Sequence, residues 1–155
     1  LDIPVWFRTT STDAVTLGLE VEIKNSSDDD TESVLYKAAR VAILPETKSA
    51  QKVFSETGAK YYSDGKAVAT AGATLAASYG DVSVATEAIA AGGKVTNPDD
   101  ATQVATVTAS TGTGYGDAVK YYIRVWLEGE DEACWNSNAG QDFVINLKFH
   151  DLSNK

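Results

Sequence analysis

An alternation of period two constrains this chain more than any other feature. Val15, Leu17, Leu19, Val21 and Ile23 alternate with Thr16, Gly18, Glu20, Glu22 and Lys24, and the run stops at the turn-forming stretch from Asn25 to Asp30. Successive side chains of a strand point to opposite faces, so this pattern suits a strand with one face in a core. It recurs where Val119, Tyr121, Ile123, Val125 and Leu127 alternate with Lys120, Tyr122, Arg124, Trp126 and Glu128. It recurs again where Phe143, Ile145, Leu147 and Phe149 alternate with Val144, Asn146, Lys148 and His150. Weaker strand signals lie at Val34 to Leu44 and at Gln103 to Ala109.

Gly, Asn, Asp and Ser clusters separate these segments, and no long helical stripe is present. Ala85 to Ala91, followed by Gly92 and Gly93, is the closest approach, with room for two helical turns and a glycine stop. The alanine-rich stretch from Ala67 to Ala91 supplies little core volume and reads as an excursion, in short strands or a short helix, over a sandwich built by the flanking strands. Numerous short strands with irregular connections predict an all-β fold, an antiparallel β-sandwich of jelly-roll type. Residues 11–155 form its single domain, and residues 1–10 an added N-terminal strand.

That strand starts at once: Leu1, Ile3, Val5 and Phe7 alternate with Asp2, Pro4, Trp6 and Arg8. Pro4 cannot donate a ladder hydrogen bond, which suits an edge position. Two readings stay open. The segment is either the first edge strand of its own sandwich or an assembly strand that completes the sheet of a neighbouring copy, where main-chain bonds give affinity and alternate side chains fill an apolar groove. The acceptor groove would be lined by inward residues of the other strands, namely Val15, Leu17, Leu19, Val125, Leu127, Phe143, Ile145 and Leu147. Such a contact is head-to-tail, and its repetition gives a filament.

Charge and composition narrow the classes. Asp and Glu number 22 against 13 Lys and Arg, a formal net charge of −9. The basic residues are scattered singly among carboxylates, whereas a nucleic-acid binder clusters them to displace counterions. No apolar run approaches the roughly 20 residues of a membrane span. The chain begins at Leu1 and has no methionine, which leads us to expect a processed, secreted product at the cell surface or outside it. Cys134 is the single cysteine, either buried as a small apolar residue or free for an intermolecular bond.

Chemistry-bearing residues are few. His150 is the only histidine, so a zinc helix with two histidines four residues apart is ruled out. Cys134 and His150 are two singletons with no orienting third residue, so no catalytic residue, metal or cofactor is assigned. Asn25-Ser26-Ser27 fits a glycosylation sequon in a turn. Asp28 to Asp30 lack the spacing and glycine of a calcium loop and read as a solvated charged turn. Thr111 to Gly116 runs between strands and reads as a hairpin connection rather than a phosphate loop. The remaining candidates for surface contacts are Trp126, Trp135, Glu128, Glu130 and Asp131, with Trp6, Tyr61, Tyr62 and Tyr122 as further aromatics.

The run Tyr121 to Asp131, then Cys134, then the closing strand Phe143 to Phe149, resembles the end of secreted proteins of Gram-positive bacteria grouped with TasA and camelysin. Tyr36 to Ile43 resembles their central strand. The likeness covers about a third of the chain, and Trp126-Leu127-Glu128-Gly129-Glu130-Asp131 is its most specific part. It implies export, a jelly-roll fold and, as in some members, biofilm-matrix fibres built by donating an N-terminal strand. Camelysin has been described as a metalloprotease, but this sequence has no recognisable zinc site. The expected function is therefore a structural, non-enzymatic subunit that partners itself and other matrix or cell-surface components. The alternative is a surface-displayed module that binds glycans or proteins through the tryptophans and the acidic loop.

Overall fold

The computed structural model describes residues 1–27, 32–47, 52–56, 62–63, 66–67, 88–90, 100–129 and 131–153. Its strands are β1 (Asp2–Phe7), β2 (Val15–Asn25), β3 (Ala39–Pro45), β4 (Lys52–Ser55), β5 (Tyr62–Ser63), β6 (Lys66–Ala67), β7 (Ala88–Ala90), β8 (Thr102–Val107), β9 (Val119–Leu127) and β10 (Phe143–Asp151). The only helical elements among the described residues are short 3-10 turns. One sheet has the order β1-β9-β3-β4-β7 and a second the order β10-β2-β8, while β5 and β6 form a separate pair.

This is an all-β sandwich. The alternating residues of β2 supply Leu19, Val21 and Ile23 to its core, facing Ala39, Val41 and Ile43 of β3, Phe54 of β4 and Ile123 of β9. Val104 and Ala105 of β8 close one side. Among the described residues the ladders are antiparallel except β4 against β7, which run parallel.

Local expectations met different fates. The three strongest alternations all form strands, and the N-terminal one forms β1. Val34 to Leu44 forms a strand only from Ala39, because Leu35–Ala38 coils into a 3-10 turn. The Val34 and Leu35 N–H groups both donate to Gln141 Oε1, at 2.8 and 2.9 Å, and this side-chain anchor replaces a ladder partner. Of the two readings of the alanine-rich stretch, short strands or a short helix, the described part of Ala85 to Ala91 takes the first: Ala88–Ala90 is extended beside β4. Tertiary pairing there overrides alanine's local preference. The rest of the alanine-rich stretch, the Asp28 to Asp30 turn, Tyr61 and Glu130 lie outside the described residues.

β3 is buried on both faces, with Arg40 fully enclosed in an otherwise apolar strand. An enclosed guanidinium is stable only when paired and hydrogen-bonded. Arg40 Nη2 donates to Asp131 Oδ2 at 2.9 Å, and Nη1 to the Lys37 and Ala39 carbonyls. The loop after β9 is thereby pinned over the outer face of the first sheet.

Candidate assembly site

β1 lies at the edge of the larger sheet, antiparallel to β9, with Asp2 opposite Arg124, Val5 opposite Tyr121 and Phe7 opposite Val119. In this single copy its partner is β9 of the same chain. The Leu1 nitrogen donates to the Val125 carbonyl at 2.8 Å and the Val125 N–H returns a bond to the Leu1 carbonyl at 2.9 Å. In an antiparallel ladder such doubly bonded pairs alternate with unbonded ones. Leu1, Ile3, Val5 and Phe7 therefore spend their backbone groups on β9, while Asp2, Pro4 and Trp6 direct theirs to the open edge. The missing N–H of Pro4 falls on that open side, where it discourages a further strand from adding.

The apolar side chains of β1 face the same way as their β9 partners, inward. Val5 packs against the core cluster. Phe7 meets Phe149 of β10 edge-on, ring centroids 4.9 Å apart, and lies 6.0 Å from Tyr121. Toward the other end the cover thins, and Leu1 and Ile3 are 68% and 42% exposed. The outward face carries a forked ion pair: Arg124 Nε donates to Asp2 Oδ1 at 2.7 Å and Nη2 to Oδ2 at 2.8 Å. Lys120 sits 5.6 Å above the Trp6 ring and 5.0 Å from that of Tyr122.

Residues 8–14 lead from β1 across to β2 in the other sheet. Arg8 stacks over Tyr115 at 4.1 Å, Gly116 N–H donates to the Thr9 carbonyl at 2.8 Å and Ser110 N–H to the Ser11 carbonyl at 2.7 Å. Gly116 approaches so closely that a Cβ there would come within 2.7 Å of the Ala109 carbonyl oxygen. The glycine-rich run after β8 is thus the seat of this connection.

The expected acceptor residues divide. Val125 flanks β1 directly, and Phe143, Ile145 and Leu147 line the inner face of β10, half-buried against the core. Val15, Leu17 and Leu19 lie on β2, between β10 and β8, and offer no edge. Leu127 lies beyond the β1 ladder, paired with Ala39. The β9 residues opposite the inward side chains of β1 are Val119, Tyr121, Ile123 and Val125.

The surface-contact candidates divide too. Trp126 is buried opposite Arg40, with its indole Nε1 unpartnered, so it is no surface contact. Glu128 is buried, and Asp131 is committed to Arg40. These correct the expectation of an open acidic loop, because pinning Arg40 draws the loop's carboxylates inward. Trp135 is exposed and lines an open cleft of about 520 Å³ with Gly129, Cys134, Asn136 and Ser137.

Cys134 and His150 occupy different settings. Partial burial, then the neighbouring Asp131 and Glu128, push the Cys134 thiol above its ordinary value, away from a reactive thiolate. His150 Nε2 lies 2.8 Å from Glu20 Oε2, both side chains buried on the outer face of the second sheet. Among the described residues no group of three or more His, Cys, Asp or Glu could hold a metal ion, and no helix is long and apolar enough to cross a membrane.

Sequence reasoning missed the Asp2–Arg124, Arg40–Asp131 and Glu20–His150 pairs. Arg40 had a visible signal, a lone charge in the apolar run Ala38 to Leu44, which implies a buried partner. No protein-family model, curated protein or solved structure matches this chain.

Proposed function

We propose that this protein is a secreted structural subunit of an extracellular filament or biofilm-matrix fibre, a jelly-roll unit extended head-to-tail by donation of β1 to the next copy. The observation that carries the reading is the place of β1. It is an edge strand held by one ladder, joined to the body by the short connection 8–14, and its inner face is wholly apolar. Exchange of such an element between copies recreates every contact it makes at home, so only the connection and the entropy of association oppose it. Seven extended residues reach about 23 Å, enough to carry a strand to an adjoining copy. Pro4 on the open edge favours replacement of β1 over addition beside it. The resemblance of Tyr121 to Asp131 to fibre-forming proteins points the same way. The role is mechanical, with no turnover and no cofactor.

Negative-stain electron microscopy tests the reading. The full chain should form filaments, and an excess of a peptide spanning Leu1 to Arg8 should shorten them by capping the β9 groove. Dispersed monomers from the full chain would refute strand exchange. They would favour a second reading, a surface module that stacks a saccharide on exposed Trp135, which the open cleft beside Asn136 and Ser137 supports.

A further inference from the structure

Strand exchange requires a register, and the apolar pattern of β1 does not define one. A slip of one residue would turn Leu1, Ile3, Val5 and Phe7 outward, but a slip of two keeps four large apolar residues facing in. Beside Phe7, which a slip would move away from Phe149, the outward residues Asp2, Pro4 and Trp6 distinguish the native register from its two-residue neighbours. Of these, Asp2 makes the directional contact. Its two oxygens meet the Arg124 fork at 2.7 and 2.8 Å, and the Arg124 side chain is only 6% exposed. A two-residue slip would set Pro4 or the chain before Asp2 opposite Arg124 and leave a largely buried guanidinium without this carboxylate. Bidentate pairing of this kind adds geometric specificity to energy.

We infer that the Asp2–Arg124 clamp is the register and self-recognition element of assembly: Asp2 of one copy enters the Arg124 site of the next. This inference rests on the strand-exchange reading. The partner it selects is a second copy of this chain, recognised by a carboxylate placed at the second position of an incoming apolar strand. A strand of the same apolar pattern with a neutral or basic second residue is disfavoured, because it takes this carboxylate from Arg124 or sets a like charge beside it.

Charge reversal tests it, with the wild-type chain as control. Asp2→Arg and Arg124→Asp each set like charges together in the closed monomer as well as at the seam, so neither variant alone gains from polymerising. Mixed in equal amounts they should form filaments at a critical concentration at least about tenfold below that of either alone, because only between copies does Asp2 of one variant find Arg124 of the other and the new arginine the new aspartate. A single chain carrying both changes should polymerise by itself. Far-UV circular dichroism of each variant establishes that the body is folded. The clamp is overturned if the folded mixture polymerises no more readily than either variant alone, or if the folded double variant stays monomeric beside wild-type filaments. A wild-type chain that forms no filaments sinks the exchange reading itself, and the clamp with it.

Discussion

β1 and β10 are both strands near an end of the fold, each laid antiparallel along a longer neighbour, yet they are fastened differently. β10 runs nine residues against β2, and the chain beyond it is stapled down. Leu152 N–H donates to the Thr16 carbonyl at 2.8 Å, Thr16 N–H to Ser153 Oγ at 3.0 Å, and the buried Leu152 side chain fills the space over Gly18. β1 has six residues and an ion pair, and its first inward side chains are half open to solvent. Both strands are held by a single ladder, but the longer ladder of β10 and its stapled end tie it to the body. The shorter ladder and open end of β1 are what the exchange proposal requires of a donated strand.

The largest effect should come from the body that both strands share. Asp131→Ala strands the Arg40 guanidinium without its carboxylate, and breaking a buried pair this way typically costs about 3–5 kcal/mol. Chemical denaturation should show that loss with β1 and β10 unfolding together. Next, Gly18→Val attacks the β10 seam: a Cβ would stand 2.7 Å from Leu152 Cδ1 and 2.9 Å from the Ala101 Cβ. Overpacking of this kind destabilises by about 1–3 kcal/mol, and a melting temperature equal to wild type would contradict the tight seam.

Phe7→Ala should do less to the whole and more to one strand. Truncating a buried Phe costs about 3–5 kcal/mol, and half-buried Phe7 should cost roughly half of that. Hydrogen exchange should quicken at β1 amides while those of β10 keep their protection; equal loosening of both would erase the distinction. The smallest effect lies just past β10, where the Ser153 hydroxyl and then its backbone N–H hold the exposed Asp151 carboxyl below its ordinary value. That contribution is present above the ordinary aspartate range and fades as pH falls through the lowered value. Solvent screening keeps it small. Ser153→Ala should raise the Asp151 midpoint in an NMR titration toward the ordinary value.

Much of this architecture was legible because one physical rule, alternation across a strand, writes itself into the sequence wherever one face is buried. Val15 to Lys24, Val119 to Glu128 and Phe143 to His150 all obeyed it, as did Leu1 to Arg8 with its edge proline. The rule fails where both faces are covered. Trp126, Glu128 and Asp131 look like an outward aromatic and an acidic surface loop, but Arg40 pulls that region into a second buried layer on the far side of β3. Long-range partners are equally silent: nothing adjacent to Asp2 announces Arg124, 122 positions away. Parallel pairing of Ala88–Ala90 with β4 likewise depends on a distant strand.

The most direct test of an exchangeable β1 is a covalent trap across its ladder. Trp6 and Lys120 are opposite each other in an unbonded pair, where Cα atoms lie about 4.5 Å apart and a disulfide fits. Trp6→Cys with Lys120→Cys, in a Cys134→Ala background, is oxidised under assembly conditions and run on a denaturing gel without reductant. Exchange between copies predicts a ladder of covalently linked multimers that collapses to monomer on reduction. A single internally bridged monomer band at every protein concentration would contradict it.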